Sequence, residues 1–414
     1  MVDTDEALIE ELTTRGIEEI YPSPYRLAEE LGSGRQLRAY MGIDPTAPDM
    51  HIGHESQLLK LRRLQKLGHH IILLIGDFTA MIGDPSDKSA ARVKLSRDEV
   101  LANAEGYQQQ ASKVIDFEDA DNPAELRYNS EWLGAMSFAD VLELASEFTV
   151  QQMLDRDMFQ RRIADGKPVG LHEFLYPTMQ GWDSVMLDVD IEVGGSDQIF
   201  NMLVGSTLLR RHTGKQKFVI AGKLLADPGG RKIGKTEGNM ITLNDSPLDM
   251  FHKIMLWGDG ITPHALELCT QLPLSEVREI EHKLKIGAMS GIEGKLFLAR
   301  TIVSELHGRV AATEAEKQYQ ALASPEADLD NTDLPSIDVQ PGRGIVQVLV
   351  ETGLASSNNH ARRLLSAGAV RINERPIDEA WVAPGSTDSL ILRVGKRKLE
   401  NHRKLNVILP GGTK

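Results

Sequence analysis

Five consecutive aliphatic residues, Ile71-Ile72-Leu73-Leu74-Ile75, close the run that begins at His70. Side chains of a strand alternate between two faces, so such a run leaves no face for water. It is far too short to span a bilayer, which takes about 20 residues. It predicts a parallel strand covered on both sides. Leu37 to Ile43 predicts a neighbouring strand, followed by the turn Asp44-Pro45-Thr46-Ala47-Pro48-Asp49. A helix then begins near His51, with Leu58, Leu59, Leu61 and Leu64 as its buried face. Strand, helix and strand joined by short turns open a doubly wound α/β domain. Ligands of such sheets sit at the carboxyl ends of strands, where Asp44 and the loop Gly83-Asp84-Pro85-Ser86 fall.

Other segments are read the same way. Leu8, Ile9, Leu12, Ile17 and Ile20 are spaced for one amphipathic N-terminal helix. The stretch from about 129 to 171 reads as a helical, acidic insertion, and Leu187 to Val193 and Phe218-Val219-Ile220 as further strands. Beyond about 236 the pattern is helical alone. Ser246-Pro247 and Thr262-Pro263 give N-cap and N1 signals, and Ser275 is placed to cap a segment holding Val277, Ile280 and Leu284. Leu296, Ala299, Ile302, Val303 and Leu306 line a further helix. Residues 324–335 have little to bury and repel one another, as a linker does. A compact module follows: Ile345, Val346, Leu349 and Val350 mark one helix, and Ser356 or Ser357 caps a second that Gly368 stops. That second helix carries Arg362 and Arg363 outward and Leu364 and Leu365 inward, and strands run over 370–373 and 390–394.

At 414 residues the chain exceeds one ordinary core. The expected organisation is an α/β domain over 1–235, with the insertion at about 129–171, and an α-helical domain over 236–323. A linker at 324–335 and a small α+β domain over 336–414 complete it. The lone cysteine, Cys269, excludes an internal disulfide framework and a cysteine-built zinc site, and fits a reducing cytosol. The acidic opening Met1–Glu6 resembles neither a secretory signal nor an Arg-rich transit peptide. A net charge of −14 alone argues against nucleic acid, but residues 336–414 hold 12 Lys/Arg against 7 Asp/Glu, a net of +5. A basic end on an acidic body suggests that nucleic acid docks there; an unevenly solvated surface is the alternative that charge leaves open.

Two strings far apart carry the chemistry. His51-Ile52-Gly53-His54 stands at a predicted helix N-terminus, where free N–H groups and the dipole favour phosphate. Imidazoles there can donate to phosphate oxygens as charge builds, and Gly53, lacking a Cβ, lets a flat base approach. Lys232-Ile233-Gly234-Lys235-Thr236 lies among Gly229, Gly230 and Gly238. Such a loop can close two ammonium groups over a triphosphate and reopen. Each string alone also reads as ordinary surface; the pair reads as one site that bends ATP around a carboxylate. Tyr176, Gln180 and Asp183 fall at i, i+4 and i+7, on one helix face beside Phe174, Leu175 and Trp182. Polar groups on a face entering the core are left unsatisfied unless a ligand meets them. Gly194-Gly195-Ser196-Asp197-Gln198 ends a strand; its glycines permit close approach, and a carboxylate can accept from both hydroxyls of a ribose.

Together these strings resemble the bacterial-type tyrosyl-tRNA synthetases, class I aminoacyl-tRNA synthetases, through nearly the whole chain. His51-Ile52-Gly53-His54 matches the first family signature without change, and Lys232-Ile233-Gly234-Lys235-Thr236 the lysine-rich one with Thr for Ser. Tyr176–Asp183 resembles the tyrosine-binding helix, with Trp182 where many relatives have Tyr. Ala361–Val370 resembles the S-four type of RNA-binding domain.

The resemblance implies a Rossmann-like catalytic domain and a role for each matching residue. Tyr40 and Asp183 would bind the phenolic hydroxyl of tyrosine; Asp84, Tyr176 and Gln180 its ammonium group; Gln198 would lie against it. Gly42, Asp44, Gly53 and His54 would line the adenosine side, and Asp197 with the Gly195 backbone would bind the ribose. His51, Thr46, Lys232, Lys235 and Thr236 would meet the departing phosphates, with Lys88 and Arg92 as mobile helpers. Arg362, Arg363, Arg371, Lys396, Arg397 and Lys398 would contact tRNA phosphates, with ordinary solvated surface as the alternative. ATP would bring Mg2+, with no metal held by the protein. The expected partners are tRNA(Tyr), L-tyrosine and a second copy of the chain, with no membrane and a cytoplasmic location. Phe138, Val141, Leu142, Leu144 and Phe148 are the apolar candidates for the homodimer contact.

Three rivals stand beside this reading. A tryptophanyl enzyme shares the acidic pocket, but Tyr40 and the S-four module argue for tyrosine. A small-molecule adenylyltransferase shares the paired-histidine turn but needs neither the helical region nor the basic tail. A non-catalytic RNA-binding protein on a synthetase scaffold would be expected to lose the histidines or lysines, and all four are present.

Overall fold

The computed structural model describes residues 2–86, 95–226, 240–323, 336–355, 357–373, 375–384, 390–395 and 402–407. The expected linker and the candidates Lys88, Arg92, Lys232, Lys235, Thr236, Lys396, Arg397 and Lys398 lie outside the described residues. The chain divides into two units, one through Arg309 and one from Val310.

The first unit is built on six strands: β1 (Ile17–Tyr21), β2 (Arg38–Ile43), β3 (His70–Ile75), β4 (Glu125–Tyr128), β5 (Ile191–Gly195) and β6 (Phe218–Gly222). Their order is β1-β6-β5-β2-β3-β4. All neighbours are parallel except β1 and β6. On one face of β3, Ile72 and Leu74 pack with Tyr40, Trp132, Leu133 and Leu187. The alternate residues Ile71, Leu73 and Ile75 are equally buried, so both faces are covered. Each such side chain contributes about 1.5–3 kcal/mol.

The N-terminal helix is shorter than its apolar spacing predicts. It spans Glu6–Thr14, capped by Asp5, which accepts from the Ala7 and Leu8 amides at 2.9 and 3.0 Å. Gly16 then takes a φ of +59°, which turns the chain, and Ile17 and Ile20 belong to β1 on the sheet edge. Leu8 is exposed. Leu187 likewise is no strand residue: it caps the helix Tyr176–Met186, and Asp188, at φ +46°, turns the chain toward β5.

Between β4 and the helix Tyr176–Met186 run four short α-helices, Ser130–Leu133, Phe138–Ser146, Val150–Leu154 and Asp157–Ala164. Leu144 is buried with Val204 and Leu208, and Phe148 packs on the same cluster. Those two candidates for a contact between copies therefore belong to the core, whereas Phe138 and Leu142 are exposed. After residue 240 come Pro247–Met255, Thr262–Leu268, Leu274–Lys285 and Gly291–His307. Ser246 caps the first as expected. Thr262 is itself helical behind Ile261, and Ser275 lies inside a helix that Pro273 precedes, so neither acts as the expected cap. Buried Arg15 donates to the Thr270 and Glu267 carbonyls at 2.8 and 2.9 Å, satisfying the open C-terminal end of Thr262–Leu268.

In the second unit, five strands take the order β7-β11-β10-β8-β9. They are β7 (Ser336–Val339), β8 (Val370–Ile372), β9 (Arg375–Pro376), β10 (Leu390–Val394) and β11 (His402–Val407). Helices Ile345–Glu351 and Asn358–Ser366 bury Ile345, Val348, Leu349, Ala361 and Leu365 against this sheet's Val370, Ile372 and Leu392. Ser357 caps the second helix, and Gly368, at φ +64°, follows its end.

Candidate active site

The sheet changes direction between β2 and β5: β3 and β4 follow on one side, β6 on the other. β2 and β5 are paired only at Ala39–Ile191 and Tyr40–Glu192. Beyond that point each stays bonded to its outer neighbour while the two diverge. A crevice at the carboxyl ends of strands where the order reverses is where α/β sheets bind ligands. Gly42, in the diverging part of β2, is that strand's one exposed residue. A Cβ there would meet nothing closer than Leu74 at 3.9 Å, so the fold itself does not demand glycine.

Asp44 stands just past β2. Its carboxylate accepts from the Tyr176 hydroxyl at 2.8 Å and the Thr79 hydroxyl at 2.7 Å. Thr46 is half-buried in the turn that follows. That turn leads into the helix Ile52–Lys66, with His51 as N-cap. The His51 Nδ1 accepts from the Gly53 amide, and the His54 Nδ1 from the His51 amide, both at 3.1 Å. Both Nδ1 atoms are thus acceptors, which puts the proton of each neutral ring on Nε2. The rings stack with centroids 3.8 Å apart. A Cβ at Gly53 would stand 3.0 Å from the His51 ring, so a larger residue there would make that ring give by a few tenths of an ångström.

His51 also forms an antiparallel bridge with Thr242. The Ile52 amide donates to Ile241 at 3.0 Å, and the Leu243 amide to Met50 at 2.9 Å. Residues 241–243, shortly after the lysine string, are therefore fastened to the start of the histidine turn.

The helix Tyr176–Met186 turns Tyr176, Gln180 and Asp183 inward as their spacing predicts, but protein groups already meet all three. Tyr176 reaches Asp44. Gln180 donates from Nε2 to Glu192 at 3.0 Å and accepts from Asn201 at 3.0 Å. Asp183 accepts from the Trp132 indole at 2.7 Å and from Asn129 at 3.3 Å. The expectation that only a ligand could satisfy them is corrected: Asn129, Trp132, Glu192 and Asn201 hold them in place. Burial pushes the Asp183 carboxyl well up, against the downward pull of Trp132 and Asn129. Burial likewise raises Tyr40, aided by the charges of Glu192 and Asp183. The Tyr40 hydroxyl lies 2.9 Å from the Ser184 Oγ.

Asp84 accepts from Gln198 at 2.7 Å and from the Ser86 amide at 2.9 Å. Buried Arg156, from the insertion, approaches Asp84 at 3.7 Å with its guanidinium over Phe159 and Phe200. Burial lowers that guanidinium despite Asp84. Gly195 ends β5, and a Cβ there would stand 2.6 Å from an Asp197 carboxylate oxygen. Hydrogen bonds thus join Asp44 with Tyr176, Asp84 with Gln198, and Gln180 with Gln198 through Asn201, while the chain leaving β2 carries Gly42 and Asp44 and leads on to His51, Gly53 and His54. In the second unit, Arg362 and Arg363 are exposed and Arg371 half-buried. Arg362 donates to Glu379 at 2.8 Å, a surface pair that a phosphate can displace.

Sequence reading passed over Asn129, Trp132, Arg156, Ser184, Glu192, Asn201 and Lys217. Asn201, three residues after Gln198 on the next helix, and Ser184, four after Gln180 on the same helix, had usable spacings; the others reach the site only through tertiary folding. A cavity of about 810 Å³ opens elsewhere in the same unit, lined by Arg15, Glu267, Arg278 and Glu281 among others. None of the candidate residues lines it. Among the described residues, no group of three or more His, Cys, Asp or Glu could hold a metal ion. Among them, too, no helix is long and apolar enough to cross a membrane.

Residues 33–324 match the family model for tRNA synthetases class I (W and Y). Residues 327–399 match that for a tyrosine–tRNA ligase SYY-like C-terminal domain. The forked sheet with its histidine-capped helix is thus the catalytic fold of a class I aminoacyl-tRNA synthetase. The chain is 40% identical over 402 residues to a tyrosine–tRNA ligase of Carboxydothermus hydrogenoformans, covering 94% of this chain and 96% of that one. It is 38% identical over 377 residues to one of Thermotoga maritima, covering 91% and 92%. Within the class, the chain belongs to the tyrosine–tRNA ligase family. The fold is shared with a mitochondrial tyrosyl-tRNA synthetase of Coccidioides posadasii, at TM-score 0.62 and 25% identity over 75% of this chain and 91% of that one. It is also shared with the enzyme of Archaeoglobus fulgidus complexed with L-tyrosine, at TM-score 0.59 and 20% identity over 75% and 99%.

Proposed function

We propose that this chain activates L-tyrosine with ATP and transfers it to the 3′ end of tRNA(Tyr). The observation that carries the reading is the His51–Thr242 bridge, which fastens the chain following the lysine string to the paired-histidine turn at the fork of the sheet. In this reading the tyrosine carboxylate attacks the α-phosphorus of ATP, which enters as its Mg2+ complex, and pyrophosphate leaves. The terminal ribose of tRNA(Tyr) then attacks the tyrosyl-adenylate. No protein nucleophile is needed; catalysis is positioning and charge stabilisation at phosphorus.

The roles are those the family resemblance implies for the matching residues, and the chemistry of each residue type supports them. Tyr40 and Asp183 take the phenolic hydroxyl, which needs both a donor and an acceptor. Asp84, Tyr176 and Gln180 hold the ammonium, and Gln198, which donates to Asp84, lies beside it. Gly42, Asp44, Gly53 and His54 line the adenosine, and Asp197 with the Gly195 backbone takes the ribose. His51, Thr46, Lys232, Lys235 and Thr236 meet the departing phosphates, with Lys88 and Arg92 assisting. The Nε2 protons of stacked His51 and His54 suit donation to phosphate oxygens.

Residues 1–235 serve as the catalytic domain, 236–323 as the domain that meets the anticodon stem, and 336–414 as the RNA-binding module beyond a linker at 324–335. Arg362, Arg363, Arg371, Lys396, Arg397 and Lys398 contact tRNA phosphates. The enzyme acts in the cytoplasm as a homodimer joined through the insertion. The exposed apolar residues Phe138, Leu142, Val150, Ile163 and Leu171 support that pairing.

ATP–pyrophosphate exchange with each amino acid in turn tests the proposal. Exchange that depends on tyrosine, followed by tyrosylation of tRNA(Tyr), is the expected result. Exchange with tryptophan in preference, or without any amino acid, overturns it.

A further inference from the structure

Behind the tyrosine crevice lies an ion pair that the proposed chemistry does not use. Lys217, just before β6, and Glu192, in β5, have side chains 0% and 3% exposed. The Lys217 ammonium donates to one Glu192 oxygen and, at 2.8 Å, to the Ser184 Oγ. Gly205 leaves room for it: a Cβ there would stand 2.6 Å from Nζ. A buried ion pair is costly to desolvate and is often replaceable by apolar residues at no loss of stability. Its presence beside a binding site calls for a local reason.

That reason lies in the direction of the hydrogen bonds. An ammonium only donates and an ionised carboxylate only accepts. Lys217 donates to Glu192 Oε2 and favours its ionised form, and Glu192 Oε1, which can only accept, receives the Gln180 Nε2 at 3.0 Å. The opposite end of the Gln180 amide, its carbonyl oxygen, is left to face Asn201, whose Nδ2 donates to it at 3.0 Å. From the other side, Asp84 receives the Gln198 Nε2, so the Gln198 oxygen also faces Asn201, at 3.1 Å. Two carboxylates thus set the orientation of three amides.

We infer that Lys217 and Glu192 are positioning residues that fix the Gln180 amide with its oxygen toward the substrate ammonium and its NH2 group away. The inference rests on the reading of Gln180 as an ammonium ligand. Glu192→Gln makes the logic testable. Lys217 can only donate, so it captures the new amide oxygen, and the new NH2 group faces Gln180. Gln180 must then turn over and present NH2 to a cation. Adding Lys217→Met removes the ammonium that dictates this orientation. The glutamine at 192 is then free to return its oxygen to Gln180.

The experiment is equilibrium binding of tyrosine and of its desamino analogue, 3-(4-hydroxyphenyl)propionate, to full-length wild type, Glu192→Gln and Glu192→Gln/Lys217→Met, alongside KM for tyrosine and for ATP. Glu192→Gln is expected to weaken tyrosine about ten- to hundredfold, leaving the analogue and the KM for ATP unchanged. The double variant is expected to regain most of the tyrosine affinity, which a merely structural role does not produce. Equal weakening of tyrosine and analogue, wild-type tyrosine binding by Glu192→Gln, or a double variant worse than the single overturns the inference. Should the wild type bind no tyrosine, the functional proposal itself fails.

Discussion

His51 and Thr242 face each other across an antiparallel bridge, so the N-cap of the histidine helix and the chain just past the lysine string share one short stretch of backbone pairing. Helix capping and strand pairing meet at the same residue: the His51 ring caps the helix while its backbone holds the later segment. This is the physical support for treating two weak sequence signals as one site.

Gly42 gives a test in which stability and function separate. A Cβ at this position has space, with Leu74 3.9 Å away. Gly42→Ala should change unfolding free energy by no more than about 1 kcal/mol. If adenosine lies against this exposed backbone, the same methyl should raise KM for ATP roughly tenfold and leave KM for tyrosine unchanged. Steady-state exchange kinetics and denaturant titration read the two effects.

Asp183 should show the opposite trade. Burial raises its folded carboxyl above the ordinary 3.8, so its stabilising contribution is fully present below that value and is lost as pH rises through the folded one. Asp183→Asn removes the penalty. The variant should gain stability relative to wild type as pH rises. It should also bind tyrosine about ten- to hundredfold more weakly, having lost one of the partners of the phenol. Denaturation across pH, paired with tyrosine titration, checks both halves.

The sheet's interior follows from the sequence more directly than its edges do. The aliphatic run of β3 and the leucines of Ile52–Lys66 have the periods of their final environments: an uninterrupted run for a strand covered on both faces, and a helical spacing for a helix packed on the sheet. Ile17 and Ile20 fit a helical spacing, yet Gly16 and a partner two hundred residues away, β6, make them a strand. The site divides the same way. Residues within the signature strings are recognisable by type and spacing, whereas Asn129, Trp132, Glu192 and Lys217 come from separate segments with no local pattern. Their function is to satisfy other side chains, and that depends on the finished fold.

His69 sets part of the acid limit. It is buried, and its Nδ1 accepts from the Leu37 amide at 3.2 Å. Burial is the main reason its pKa falls from 6.5 to about 4. The unfolded chain binds a proton below 6.5 that the folded one refuses until about 4. Its contribution is therefore complete above 6.5 and lost as pH falls through about 4, at up to about 1.4 kcal/mol per pH unit. His69→Asn keeps an acceptor for Leu37 but does not titrate there. Its stability should fall less steeply than wild type over this range in denaturant titrations.

Phe138 tests the expected homodimer. It is 78% exposed on the insertion, in the same segment as exposed Leu142 and Leu171. Phe138→Glu should weaken self-association roughly thirtyfold without altering the circular dichroism of the chain. Sedimentation velocity over a concentration series measures it; an unchanged dimer places the contact elsewhere.

The central claim is that the histidine turn and the lysine string act on one triphosphate while tyrosine is held separately. Rapid-quench measurement of tyrosyl-adenylate formation in His51→Ala and Lys235→Ala, with tyrosine affinity measured on the same proteins, tests it most directly. The account predicts a rate lower by about 10²–10³ in each, with tyrosine bound as in the wild type. Adenylate formed at the wild-type rate by either variant contradicts it.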